Sequence, residues 1–274
     1  MAIEAYFGGS QGYIPCRTLP SQSAIKLGGL MHQTIRAAVA TVIFVLTIAF
    51  GSPWQTWAQD AHQATARPAQ APSSILSPID QYLIPDRDAE IALARSAAPE
   101  DISRDATILV LGRHGYETAV KGANGFVCLV ERGWMGPLDG ITFSPKNRAP
   151  LCLNPRAVRF ILPIDYKRTE LVLAGKSKEQ IIEWTKAAYA KGELPGFEPG
   201  AISYMMSKTA CLDEQGHNLA HLMFYTPVIN GVEWGADLPH SPIFSFSQGP
   251  PEPFNIFLVP VGKWSDGTSA PLPK

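Results

Sequence analysis

His217-Asn218-Leu219-Ala220-His221 holds the one close pair of histidines in the chain. On a helix, this spacing puts both imidazoles on one face, an arrangement that grips a transition metal. On a strand the two also share a face but stand about 13 Å apart, too far to bind one ion unaided. No glutamate follows His217 to complete an HExxH pattern, and Asp213 and Glu214 are the nearest carboxylates. A metal carrier or metal-dependent hydrolase would therefore rest on His217 and His221, with a transition metal as cofactor. The plainer alternative is a buried, hydrogen-bonded His221 and a surface His217. Met205, Met206 and Met223 lie close by, and thioether with imidazole suits copper. Adjacent strand residues face opposite ways, however, so core packing explains the methionines better.

A second constellation is Arg113-His114-Gly115-Tyr116-Glu117, at the end of an apolar run. Arg113, His114, Tyr116 and Glu117 together could hold and protonate an anionic substrate without any metal. A polar hairpin turn has the same composition. Glu233-Trp234-Gly235 offers an aromatic loop that could stack on a sugar ring or simply cover a core edge. The chain has no GxSxG elbow, no P-loop, no CxxC and no dinucleotide-type glycine motif after a strand. Its one SxxK string, Ser23 to Lys26, precedes the mature protein in the reading below.

Of the four cysteines, Cys16 falls in that leading segment. Among the remaining three, Cys128 and Cys152 are the expected disulfide, because both sit in short segments flanking the loop Trp134 to Pro150. Three buried thiols are the alternative. A catalytic Cys128 is disfavoured by its apolar strand, where burial raises a thiol pKa.

These residues must be positioned by local structure. Asp86 to Ala98 reads as a helix capped by Asp86 and stopped by Pro99, with Ile91, Ala94 and Ala98 on one face. Ala106 to Gly112 and Gly125 to Glu131 read as strands. Within the second, Phe126, Cys128 and Val130 alternate with Val127 and Leu129, so both faces are apolar and the strand should be central. Tyr116 to Val120 is expected to pair with it across Asn124-Gly125. Asn154-Pro155 starts a helix, Ile164 to Ala174 is another closed by Gly175, and Lys178 to Lys191 is a third. Ser177 and Gln180 form a capping box for the last, and Gly192 ends it. Its buried face is Ile181, Trp184, Ala188 and Tyr189. Strands follow at Ala201 to Ser207, Asn218 to Tyr225, Ile243 to Phe246 and Phe254 to Val261, the first two as a hairpin. The fold class is α+β, with a mixed or mainly antiparallel sheet, helices clustered in the middle of the chain and a loop-rich C-terminal third.

The leading segment sets the compartment. Ala37 to Phe50 is an uncharged apolar run behind Arg36, followed by Thr56-Trp57-Ala58 with small residues at the positions a signal peptidase reads. It is shorter than the roughly 20 apolar residues of a bilayer span, so a signal peptide cleaved near Ala58 is favoured over a permanent anchor. MHQTIRAAVATVIF from Met31 has by itself the length and charge of a signal sequence, which points to Met31 as the true start; the alternative is a long n-region. The expected division is a presequence over 1–58, a flexible leader over 59–78 rich in Ala, Gln, Pro and Ser, and one globular domain over 79–274.

With 23 basic and 24 acidic residues and no basic stripe, nucleic acid is excluded as an expected partner. No permanent membrane span is expected after processing. The functional expectation is a periplasmic or secreted module that binds a small ligand or a protein without catalysis. The alternatives are the metal protein at His217 and His221 and the metal-free enzyme at Arg113, His114, Tyr116 and Glu117.

Overall fold

Alternation along Val127–Glu131 organises the molecule. In the computed structural model, which describes residues 77–136, 143–212, 218–247 and 252–273, Val127 and Leu129 bury into one layer and Cys128 and Val130 into another. A strand apolar on both faces belongs at the centre of a covered sheet, and this one does. The eight strands are β1 (Thr107–Gly112), β2 (Gly115–Val120), β3 (Val127–Glu131), β4 (Ala149–Leu153), β5 (Ile202–Met205), β6 (His221–Pro227), β7 (Phe244–Ser247) and β8 (Phe254–Pro260). They form one mixed sheet in the order β2-β1-β3-β4-β5-β6-β8-β7. Only β1 and β3 pair in parallel; the other described pairings are antiparallel.

Five helices cover the sheet: α1 (Arg87–Arg95), α2 (Glu100–Ser103), α3 (Pro155–Phe160), α4 (Leu162–Leu173) and α5 (Lys178–Ala190). Three of them fall in mid-chain, and the α+β class holds. Phe160, Ile164, Val172, Ile181 and Ala188 of α3 to α5 pack with Leu109, Leu129, Leu151 and Leu153 on one face. Leu93 and Ala94 of α1, with Ala97 and Ala98 beyond it, pack with Ile108, Cys128, Val130 and Cys152 on the other. Burying both faces supplies the main driving force for the fold.

The local signals act as their chemistry requires. The Asp86 carboxylate accepts from the backbone N–H groups of Asp88 and Ala89, and Asn154 Oδ1 accepts from Ala157 N at 2.8 Å. Ser177 and Gln180 close a reciprocal capping box on α5. Helix α1 ends at Arg95 rather than Ala98, because Pro99 opens the separate turn α2. Cys128 and Cys152 face each other in the β3–β4 register and are joined as a disulfide. No described cysteine is free.

One pairing departs from the sequence expectation. Tyr116 to Val120 pairs antiparallel with β1, not with β3. The tight turn at Arg113-His114 closes this hairpin first. The chain then passes beneath the start of β1, where Ala123 N bonds Asp105 O at 2.8 Å and Gly122 N bonds Thr107 Oγ1 at 3.1 Å. It emerges on the far side as β3, parallel to β1. Gly122 is required at this crossing, since a Cβ there would lie 2.2 Å from the carbonyl carbon of Ala106.

Candidate functional site

The hairpin constellation is dispersed. Arg113 is exposed and ion-paired with Asp80 at 2.6 Å, and Glu117 is exposed and ion-paired with Arg87. His114 is exposed in the turn. Tyr116 alone turns inward, donating its hydroxyl to Val130 O at 2.7 Å. These four side chains do not meet at one point.

His217 lies outside the described residues. His221 is buried at the start of β6, with its Nδ1 2.8 Å from Leu219 O. Burial pushes its imidazole pKa down to about 4, only partly offset by that hydrogen bond, so the ring is neutral at physiological pH. Four strand steps separate β1 from β6, about 19 Å at ordinary strand spacing, which keeps His114 and His221 apart. Among the described residues no group of three or more His, Cys, Asp or Glu side chains is placed to hold a metal ion. Trp234 is 62% exposed and leans on Phe257 with ring centroids 5.9 Å apart.

The concentration of unusual chemistry lies between the sheet and its main helical layer. Glu131 ends β3 on the face that already carries Val127 and Leu129. On α4, Leu162, Asp165, Thr169 and Val172 follow a helical stripe, and Arg168 sits beside it; all five are buried. Glu252, two residues before β8, is buried and ion-paired with Arg168. Arg168 Nη1 also donates to Met135 O and Gly136 O, each at 3.2 Å. Trp134 Nε1 donates to Thr169 Oγ1 at 3.0 Å, and that hydroxyl donates to Asp165 O at 2.8 Å. The backbone on both sides of the group is thereby held still. Tyr225, bonded to Ser203 through its hydroxyl at 3.1 Å, and Tyr189 of α5 complete the surroundings.

The electrostatics are those of a desolvated acidic group with too little positive charge. Burial drives the Glu131 carboxyl up to about 8 against the pull of the Arg168 guanidinium. Asp165 is raised well above the usual carboxylate range, by burial first and the Glu131 charge second, with Arg168 opposing. Arg168 is lowered by burial, and its carboxylate and tyrosine neighbours offset this only in part. The phenols of Tyr189 and Tyr225 are both pushed upward, mainly by burial. At neutral pH Glu131 therefore carries a proton that it can give or exchange, a property concentrated at functional sites.

A second buried pair is a useful contrast. Glu90 of α1 and Arg132 meet at 2.8 Å, both almost fully enclosed. Arg132 also donates to Tyr82 O and Val130 O, and Glu90 accepts from Leu111 N at 3.1 Å. That pair is satisfied and ties α1 to β1 and β3. The Arg168 group is not. Asp165 Oδ2, Glu252 Oε2, Arg168 Nε and the Tyr189 hydroxyl are buried without a hydrogen-bond partner among the described residues. Buried polar atoms are almost always paired, so unpaired atoms on an ion-paired arginine, its partner and a nearby aspartate call for a functional account.

The sequence reading missed Glu131, Asp165, Arg168 and Glu252. A usable signal was present on α4, where Asp165 and Arg168 occupy core positions of an otherwise apolar stripe. Glu131 and Glu252 carried none, because each follows or precedes a strand as many surface carboxylates do. No family model matches this chain, and no curated protein or solved structure matches it significantly.

Proposed function

We propose that this chain is an exported module that binds a small ligand, and that the ligand seat is the group formed by half-buried Glu131 with buried Asp165, Arg168 and Glu252. The observation that carries the reading is Asp165 Oδ2, enclosed, without a donor, and beside the carboxyl of Glu131. A protein that left such an acceptor unpaired for no purpose would lose about 1–3 kcal/mol of stability. A ligand that supplies the donor recovers that loss as binding energy. Rigid placement supports the reading too: the side chains come from β3, α4 and the approach to β8, and Trp134 and Thr169 brace the backbone between them. Export is supported by the cross-strand disulfide, which persists in oxidising compartments, and by the apolar run behind Arg36. No helix among the described residues is long and apolar enough to cross a membrane.

Thermal-shift screening of the purified, disulfide-intact protein against a metabolite library tests the assignment, with Glu131→Gln as the control. The expected result is at least one compound that raises Tm in the wild type and not in the variant. A hit that stabilises both proteins equally binds elsewhere, and it would count against this site.

A further inference from the structure

We propose that the ligand is a compact organic cation, a primary ammonium on a short apolar stem, whose charge is taken by Glu131 and Asp165. This rests on the ligand-binding reading above and specifies its chemistry.

Charge is the first argument. Three carboxyl groups, from β3, α4 and two residues before β8, share one guanidinium among the described residues. Arg168 is already committed to Glu252 and to the carbonyls of Met135 and Gly136. Glu131 and Asp165 are thus left without a cation of their own, and Asp165 Oδ2 has no donor among the described residues. The missing component is a positively charged hydrogen-bond donor. An ammonium group supplies three such donors on a single centre.

The surroundings say what carries the ammonium. Tyr225 lies close enough to both Glu131 and Asp165 for their charges to raise its pKa, and its ring packs edge-on against Phe160 and Phe254 at centroid distances of 5.9 and 6.0 Å. Tyr116 of β2 and Tyr189 of α5 are raised mainly by burial; the Asp165 charge adds to both, and Tyr116 also feels Arg132 and Glu90. Aromatic side chains near desolvated carboxyls suit an organic cation, whose apolar stem they can contact. A free anion would meet like charge. A bare metal ion would need several converging ligands, and among the described residues no group of three carboxylate, imidazole or thiolate side chains provides them.

Binding must then be linked to pH. The charged and titratable groups facing the seat are Glu131, Asp165, Arg168, Glu252, Tyr116, Tyr189 and Tyr225. The tyrosines stay neutral and the arginine stays charged across the working range. A cation entering below the Glu131 pKa of about 8 must displace its proton. Affinity is expected to fall about 25-fold from pH 8.5 to pH 6.5 by that displacement alone.

The test is isothermal titration calorimetry of the disulfide-intact protein with butylamine and 1,4-diaminobutane, against 1-butanol, butanoate and 4-aminobutanoate as neutral, anionic and zwitterionic matches. The expected result is saturable binding of the amines at pH 8.5, with weaker binding at pH 6.5 and none of the alcohol or the acid. Glu131→Gln and Asp165→Asn should each abolish it while circular dichroism shows both variants folded. Should Asp165→Asn fail to fold, Glu131→Gln with the pH series carries the test alone. Amine binding that survives both substitutions, or tighter binding of 4-aminobutanoate than of butylamine, overturns the proposal. If no amine binds but a neutral or anionic library hit is lost in Glu131→Gln, the cation is wrong and the ligand-binding reading stands. If no compound of any charge binds, both fall.

Discussion

Replacing Glu131 by glutamine should make the protein more stable in mild alkali, and this is the sharpest check on the electrostatics of the group. The folded-state pKa of Glu131 is raised from 4.5 to about 8 by burial. The native protein therefore binds more protons than the unfolded chain across that interval, and linkage requires stability to fall as pH rises through it. His221 has the opposite sign: its folded pKa of about 4 lies below the ordinary 6.5, so its contribution is lost as pH falls. Above pH 6.5 the histidine contribution is nearly constant, which isolates the carboxyl. Between pH 6.5 and pH 9 the Glu131 proton alone is worth about 2 kcal/mol. Asp165 acts in the same direction wherever its raised pKa falls in that window.

Glutamine keeps the shape and removes the ionisation. Urea unfolding of both proteins at pH 6.5, 7.5, 8.2 and 9.0 gives the comparison, and taking the difference cancels groups the two share. The variant's advantage over the wild type should grow by about 2 kcal/mol between pH 6.5 and pH 9. A wild type whose stability is flat from pH 6.5 to 9, or a variant that tracks it in parallel, would refute the burial of this carboxyl and with it the basis of the proposed site.

Four further outcomes follow from the same structure. Nuclear magnetic resonance of the imidazole nitrogens should find His221 neutral at pH 5.5, and acid unfolding should show about 3 kcal/mol lost from pH 6.5 to 4 through this ring. Glu90→Ala strands Arg132 in the interior and should cost about 3–5 kcal/mol in urea, most of it recovered when Arg132→Met is added. Removing the disulfide with Cys128→Ala and Cys152→Ala releases a constraint spanning a sequence separation of 24 and should cost about 3.5 kcal/mol in the chain-entropy model, read as a lower urea midpoint. Gly122→Ala drives a methyl into the backbone of Ala106, and a drop of about 3 kcal/mol, measured by thermal unfolding, is the expected cost of the overlap.

The elements that were legible are those whose chemistry is local. Caps at Asp86, Asn154 and Ser177 satisfy helix N-termini within three residues of themselves, so the sequence announces them. The double-faced apolar pattern of β3 also showed, because alternation is a property of one strand, and it led to the disulfide with β4. The partner of β2 was not legible. A hairpin across Asn124-Gly125 and one across Arg113-His114 are both short-range options, and the choice turned on how closely the chain could pass Ala106. The buried acidic group was hidden for a related reason. Asp165 and Arg168 lie three residues apart, but Glu131 and Glu252 are far from them in sequence and join them only when β3 and β8 enter one sheet. The histidines drew attention through proximity in sequence, whereas the group with the most perturbed chemistry is assembled wholly by tertiary structure.

The two buried ion pairs argue that this assembly has a purpose beyond stability. Glu90 with Arg132 shows that the sequence can enclose a charge pair and satisfy it, with backbone carbonyls and an amide taking up the remaining valences. Arg168 with Glu252 is also enclosed, yet it has two additional carboxyls near it and, among the described residues, four buried atoms without partners. Replacing such a group by packed apolar side chains is commonly neutral or stabilising by about 1–4 kcal/mol. Its presence is therefore not accounted for by folding. What distinguishes it from the satisfied pair is a surplus of carboxyl groups over guanidinium and an Asp165 Oδ2 without a donor among the described residues, and a cationic donor is the complement that would remove both.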